Sequence, residues 1–231
     1  MIEELLPPSV AAVESFGDDP SAERALYPQE ARLIAVAVES RRREFATVRR
    51  CAREALGKLG GPAAPILPDA KGAPRWPEGF VGSMTHCKGY RAAVVARAAS
   101  LAAVGIDAEP NLPLPDDGVR DLVTVPQERA WLRQLAPRRP GVHWDRLVFS
   151  AKETVYKVWY PLTRRWLNFE EAVITVDPDR STFTARLLVP GPVVDGVRLD
   201  SFTGGWLVRD GLIVTAATIA GPANSGPALH T

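Results

Sequence analysis

Two stretches of the chain, 80–97 and 205–220, repeat one pattern: a strand-forming run, a short polar turn (CKGY in the first, RDG in the second) and a run rich in Ala and Val. A strand–turn–strand unit used twice points to two related α+β halves, with a boundary near 105–115. The length of 231 residues suits two small halves that share a core. We place the division at 106/107, giving an N-terminal half over 1–106 and a C-terminal half over 107–231. The cleft between such halves is the natural place for a site.

Helical periodicity fills the gaps between the strand runs. From Tyr27 to Leu59 the sequence is helix-rich, with Ser40 as an N-cap for a segment in which Phe45, Val48, Ala52, Ala55, Leu56 and Leu59 recur at three- and four-residue steps. Gly60, Gly61 and Pro62 end it, and GPAAPILPDAKGAPRWPEG reads as a surface connector. FVGSMTH, RAAVVARA and AAVGIDAE follow as strands, then helical VPQERAWLRQLA and a strong helix from about Trp144 to Tyr160 that Pro161 ends. The remainder alternates in strand fashion, and GPANSGPALHT reads as a frayed tail.

Lys and Arg number 28 against 27 Asp and Glu, a formal net charge of +1, so no global field draws the chain to nucleic acid or an anionic membrane. Any anion site must be local. Cys51 and Cys87 form neither a disulfide framework nor a zinc motif, which suits a reducing cytoplasm. The opening MIEELLPPSV lacks the pattern of a secretory leader, and apolar runs such as LIVTAATIA fall far short of the roughly 20 residues of a membrane helix.

Four places hold residues suited to chemistry. In VGIDAEP a strand buries Val104, Ile106 and Ala108 and puts Asp107 and Glu109 together on the other face, as ligands for a hard cation or as two surface acids. In FSAKETVYKVWYPL, Glu153 and Lys157 share a helix face while Val155, Val158 and Trp159 turn to the core; a local ion pair is the plain reading. GSMTHCKG sets Ser83, Thr85 and His86 at a strand end, where they bind phosphate or merely cap a turn. His86 and Cys87 are adjacent on a strand and point apart, so they form no catalytic dyad. Finally, Arg41, Arg42, Arg43, Arg49, Arg50 and Arg53 make one helix strongly basic, either as an anion site or as a solvated face.

In succession, an Arg-bearing helix, KGAPRWP, GSMTH, GIDAE and FSAKETVYK resemble the Sfp-type 4′-phosphopantetheinyl transferases, in particular an actinobacterial-like subclass, over roughly 40–170. The family signature is a Gly-Ile-Asp-x-Glu strand followed some forty residues later by Lys-Glu-x-x-x-Lys on a helix; here Glu109 and Glu153 lie 44 positions apart. The resemblance implies an α+β fold of two pseudo-symmetric α/β halves facing each other across a coenzyme A cleft. It implies transfer of phosphopantetheine from coenzyme A to a serine of an acyl or peptidyl carrier protein, in fatty acid, polyketide or nonribosomal peptide synthesis, releasing adenosine 3′,5′-bisphosphate. Carried over by position, Asp107, Glu109 and Glu153 would hold Mg²⁺, with Glu153 beside Lys157 as general base. Arg41, Arg49, Lys71, Thr85, His86 and Lys157 would contact the coenzyme. The chain departs from some members in having Ala108 between the two strand acids and Phe149 where many have Trp.

The stretch 111–135, with Leu112, Leu114, Val119, Leu122, Val123 and Val125, would be a cover that receives the acidic carrier, steered by Arg120, Arg129 and Arg133; a self-packed helical linker is the alternative. Two halves completing one cleft imply a monomer. Two other functions would use the same residues. A Mg²⁺-dependent phosphodiesterase or pyrophosphatase would hand its product to water, and an Arg-rich nucleic-acid-binding protein would be indifferent to loss of Asp107 and steeply weakened by salt.

Overall fold

The computed structural model describes residues 1–135 and 137–221, so the expected tail lies outside the described residues from position 222 onward. In chain order the elements are β1 (Val10–Phe16), α1 (Pro28–Leu33), α2 (Glu39–Lys58), β2 (Phe80–Cys87), β3 (Tyr90–Arg97), β4 (Leu101–Pro110), α3 (Asp117–Val123), α4 (Pro126–Leu135) and α5 (Trp144–Thr163). They continue with β5 (Ala172–Asp177), β6 (Thr182–Leu187), β7 (Val193–Val194), β8 (Val197–Arg198), β9 (Ser201–Arg209) and β10 (Leu212–Ala220).

The echo in the sequence corresponds to a repeated topology. One sheet has the order β1-β3-β2, and the larger sheet begins β4-β10-β9 before adding β6 and β5. Each therefore sets a first strand beside the second arm of an antiparallel hairpin, β2–β3 in one and β9–β10 in the other. The hairpin turns use Gly89 and the pair Asp210–Gly211, all at positive φ, which Gly tolerates without cost. α2 lies on the smaller sheet and α5 on the larger. β4 runs unbroken through position 106/107 as one strand of the larger sheet.

Side-chain hydroxyls join the two sheets where no backbone ladder does. Ser83 Oγ accepts the Ile106 N–H at 3.1 Å and Thr85 Oγ1 accepts the Ala108 N–H at 3.1 Å. Two buried amides of β4 thus find acceptors on β2 without the strands closing to ladder distance, and a cleft opens beside them.

α2 starts at Glu39, one residue before the expected Ser40 cap, with Val38 at the N-cap. Of its expected stripe, Val48, Ala52, Ala55 and Leu56 are buried, joined by Ala46 and Cys51. In α5 the expected core residues Val155, Val158 and Trp159 are fully buried. Pro161 does not end this helix: it sits in the last turn, and the stop comes at Arg164, whose φ of 55° is left-handed.

Gly105 sets how closely α5 approaches β4. A Cβ there would lie 2.4 Å from the Thr154 carbonyl oxygen and 2.9 Å from Val158 Cγ2. The seam is completed by three buried hydroxyls, with Thr215 Oγ1 2.9 Å from Ser150 Oγ and 2.7 Å from Thr154 Oγ1. Thr215 pairs across the sheet with Asp107, so this cluster lies beside that acid. Gly105→Ala is expected to cost about 1–3 kcal/mol through overpacking. Thermal unfolding checks it, and an unchanged melting temperature would show that α5 can ride higher at no cost.

Glu14 on β1 accepts hydrogen bonds from the Met1 ammonium at 2.6 Å, Tyr90 Oη at 2.6 Å and the Ile2 N–H at 3.2 Å. Burial alone would raise this carboxyl, but these donors outweigh it and hold it below its usual 4.5. A depressed folded value means the stabilisation is complete above the unfolded value and is lost as pH falls through the folded one. Urea unfolding of the natural protein and Glu14→Gln should therefore show a stability gap at neutral pH that closes in acid. A gap independent of pH would contradict the charged role.

Candidate active site

A cavity of about 790 Å³ opens between the halves. One wall is α2, β2 and the connector after α2; the other is β4 and α5. Its rim and floor include Arg41, Arg49, Lys71, His86, Glu153, Tyr156 and Lys157.

Alternation along β4 puts Gly105, Asp107 and Glu109 toward α5, while Ile106 and Ala108 enter the core between the sheets. Lys157 reaches across to this strand: its Nζ donates to Asp107 Oδ1 at 2.8 Å and to the Ile106 carbonyl at 3.0 Å. The plain reading of a Glu153–Lys157 pair within the helix is therefore replaced by a bond between elements. Glu153 forms no ion pair among the described residues. Burial raises its carboxyl above the ordinary range, and Lys157 pulls the other way. Glu109 is held by Arg146 at 3.0 Å, yet burial, reinforced by the charge of Asp107, pushes it up to about 7.

Whether these acids suit a cation can be read from their unmet needs. The three do not form one closed ligand cluster; among the described residues no group of three His, Cys, Asp or Glu side chains has metal-site geometry. Lys157 and Arg146 neutralise Asp107 and Glu109 instead. Asp107 Oδ2, however, is buried and has no hydrogen-bond partner, while the two neighbouring carboxyls are both destabilised as anions by burial. An orphaned hard oxygen among strained carboxylates fits a divalent cation.

The anion-binding candidates separate. Arg41 is the member of its triplet that faces the cavity, with Nη1 3.2 Å from His86 Nε2, whereas Arg42 turns to Glu23 and the Ala37 carbonyl and Arg43 to Glu39. Lys71 sits exposed on the cavity rim. Arg49 lines the cavity but is buried, its Nε donating to the Ile66 carbonyl at 2.9 Å and its guanidinium 4.3 Å over the Phe45 ring. Burial pushes that guanidinium down to about 10. Thr85 differs from expectation: its hydroxyl is buried at the β2–β4 seam, 3.3 Å from Asp107 Oδ1 and accepting from Ala108, so it braces β4 instead of lining the cavity.

Each half of this architecture matches a family description. The 4′-phosphopantetheinyl transferase N-terminal domain matches residues 29–96, and the 4′-phosphopantetheinyl transferase superfamily matches residues 103–195. The chain belongs to the 4′-phosphopantetheinyl transferase superfamily. The transferase is 59% identical over 226 residues to the 4′-phosphopantetheinyl transferase Svp of Streptomyces mobaraensis, covering 97% of this chain and 92% of that one. It is 46% identical to the 4′-phosphopantetheinyl transferase PptT of Mycobacterium tuberculosis, over 95% of this chain and 98% of the relative. The 4′-phosphopantetheinyl transferase Npt of Nocardia iowensis is 48% identical over 95% of this chain and all of its own.

Several residues of the transferase site carry no motif in the sequence. Glu44, one turn along α2 from Arg41, contacts it and lies 2.9 Å from His86 Nδ1, so one carboxylate orients both the guanidinium and an imidazole that burial pushes below its usual 6.5. Its spacing from Arg41 was the available signal. Glu30, fully buried, accepts from Arg53 at 2.8 Å and from the Ile66 N–H at 2.9 Å, and lies 4.0 Å from Arg49. Part of the basic face of α2 is thus spent on an internal anion. Trp76 packs on β2 over Gly82, where a Cβ would come within 2.7 Å of the indole.

The segment 111–135 packs against the body of the transferase. Val123, Leu132 and Leu135 are buried, and Glu128 bridges to Lys152 of α5 at 2.9 Å. Leu112 and Leu122 stay exposed, Arg120 pairs with Asp117, and Arg129 holds Thr124. No helix among the described residues is long and apolar enough to cross a membrane.

Proposed function

We propose that this transferase moves the 4′-phosphopantetheine group of coenzyme A to a serine hydroxyl of acyl or peptidyl carrier proteins, with Asp107, Glu109 and Glu153 as the ligands of a divalent cation, Mg²⁺. The observation that carries the reading is the unpartnered Asp107 Oδ2 facing α5 beside Lys157 and near Glu153. A cation held there would offset negative charge on the diphosphate of the coenzyme.

Glu153 accepts the serine proton, a role suited to a carboxyl that lines the cavity and that burial raises above the ordinary range. The serine oxygen forms a new P–O bond to the phosphorus bearing pantetheine. The bridging P–O bond breaks, and its electron pair leaves with adenosine 3′,5′-bisphosphate. Lys157, Lys71 and Arg41 hold anionic oxygens of the coenzyme, and His86 stands with Arg41 at the phosphate end of the cavity. Arg49 acts there by shaping the wall, and Thr85 acts through Asp107 and Ala108.

The labour is divided unevenly between the halves: 1–106 brings most coenzyme contacts, while 107–231 adds Lys157, the metal ligands and the carrier-facing surface, where Leu112 and Leu122 are exposed on the segment that carries Arg120, Arg129 and Arg133. Both walls of the cavity come from one chain, which supports a monomer. The free cysteines suit the cytoplasm.

Incubating the protein with apo carrier protein, coenzyme A and Mg²⁺ should add about 340 Da to the carrier, the mass of the transferred group. Hydrolysis of coenzyme A with no mass gain on several carriers would instead favour a phosphodiesterase.

A further inference from the structure

The connector between α2 and β2 reaches the opposite wall of the cavity through one carboxylate. Residues 67–75 fold back as a hairpin: the Asp69 N–H donates to the Ala73 carbonyl at 2.8 Å, the Arg75 N–H to the Leu67 carbonyl at 2.8 Å, and Pro68 and Pro74 face each other across it. Asp69 Oδ1 closes the tip by accepting the N–H groups of Lys71 at 2.8 Å and Ala73 at 3.0 Å, around Gly72 with φ of 89°. Oδ2 of the same side chain leaves the hairpin. It accepts the Tyr160 hydroxyl at 2.9 Å and Arg164 Nη1 at 3.4 Å, both from the end of α5.

Of the two partners Tyr160 is the fixed one, while the Arg164 side chain is largely exposed. Tyr160 is buried on α5, three residues beyond Lys157, and its ring lies 5.9 Å from that of Tyr156 and 5.8 Å below the Arg164 guanidinium. The hairpin tip, by contrast, is exposed at Ala70, Lys71 and Gly72, and the only apolar side chains it offers as anchors are the small ones of Ala70 and Ala73. One oxygen of Asp69 holds the shape of the tip; the other sets its height above the helix that carries Glu153 and Lys157.

We infer that Asp69 and Tyr160 form a clasp between the halves that positions Lys71 over the coenzyme site. They are positioning residues for coenzyme binding and touch none of the reacting atoms. The inference rests on the reading of Lys71 as a coenzyme contact. A flexible lysine on an unanchored tip must be ordered when the ligand binds, and a clasp made beforehand removes that cost from the binding step.

The test is coenzyme A affinity by isothermal titration for the natural protein, Tyr160→Phe, Lys71→Met and the double variant. Tyr160→Phe keeps the ring and deletes only the hydroxyl; it should weaken coenzyme A binding about 5- to 10-fold, as loss of one well-placed hydrogen bond does. At saturating coenzyme A its kcat should be unchanged. On the Lys71→Met background the same substitution should add less than about twofold, because coupled residues are not additive. Hydrogen exchange at the amides of 71–73 should quicken in Tyr160→Phe while the melting temperature holds. Natural affinity in Tyr160→Phe, or an undiminished loss on the Lys71→Met background, would overturn the clasp while leaving Lys71 a coenzyme contact. Natural affinity in Lys71→Met would instead overturn the reading of Lys71, and the clasp with it. Asp69→Asn, which keeps acceptors for the turn and removes the charge facing Arg164, should fall in the same direction as Tyr160→Phe; an increase in affinity would count against the clasp.

Discussion

Asp107→Asn is expected to lower carrier-protein modification about a thousandfold, the rate equivalent of several kcal/mol of charge stabilisation. The substitution keeps the side-chain volume on a fully packed strand and removes the charge on which two features depend. Lys157 loses the carboxylate it meets at 2.8 Å, and the buried Oδ2 that no protein group satisfies is no longer available as an anionic ligand. Stability should fall much less than activity, because Lys157 is partly exposed and can turn to water. The measurement is initial rate by mass spectrometry beside a thermal melt. Retention of more than about a tenth of the natural rate, a loss below 1.4 kcal/mol, would show that the charge of Asp107 is peripheral.

Glu153→Gln should lower kcat by about two to four orders of magnitude, the range for removing a positioned general base. Because Glu153 is also a ligand of the cation that offsets the diphosphate charge, coenzyme A affinity measured with Mg²⁺ should weaken as well, while the Kd measured without the cation should stay within about threefold. The structural ground is that Glu153 faces the cavity, is raised by burial and is not tied up by Lys157, which bonds to the neighbouring strand. A fall in coenzyme affinity with kcat intact would assign Glu153 to binding and leave the base to be found elsewhere.

Both effects trace to a helix-to-strand contact that the chain announces only in part. The face shared by Asp107 and Glu109 follows from two-residue alternation, and the core side of α5 follows from helical spacing, so both could be read directly. The partner of Lys157 could not. Spacing of four favours Glu153, but α5 approaches β4 so closely, through the missing Cβ of Gly105, that Asp107 offers a nearer and more buried oxygen. Long-range packing overrides a local pair whenever the local one is worth only tenths of a kcal/mol.

The same reasoning explains the other differences. Thr85 looked like a phosphate ligand because it sits in GSMTH, yet it is spent on the Ala108 amide at a seam where two sheets meet without a ladder. Arg49 and Arg53 read as one cationic face, and both answer to Glu30, an acid in the unremarkable run PQEARL some twenty residues earlier. Pro161 reads as a helix stop, but α5 continues to Thr163 and ends at the left-handed Arg164. Arg41, one of three consecutive arginines, could be singled out only when the α2 phase was fixed by its start at Glu39.

The central claim is that carboxylates from β4 and α5 converge on one cation. Electron paramagnetic resonance of Mn²⁺ titrated with the protein in the presence of coenzyme A tests it without relying on turnover. The free-ion signal should fall by one ion per chain with the natural protein and should persist with either Asp107→Asn or Glu153→Gln, both still folded by their melts. Stoichiometric Mn²⁺ binding that survives both substitutions would contradict the shared site.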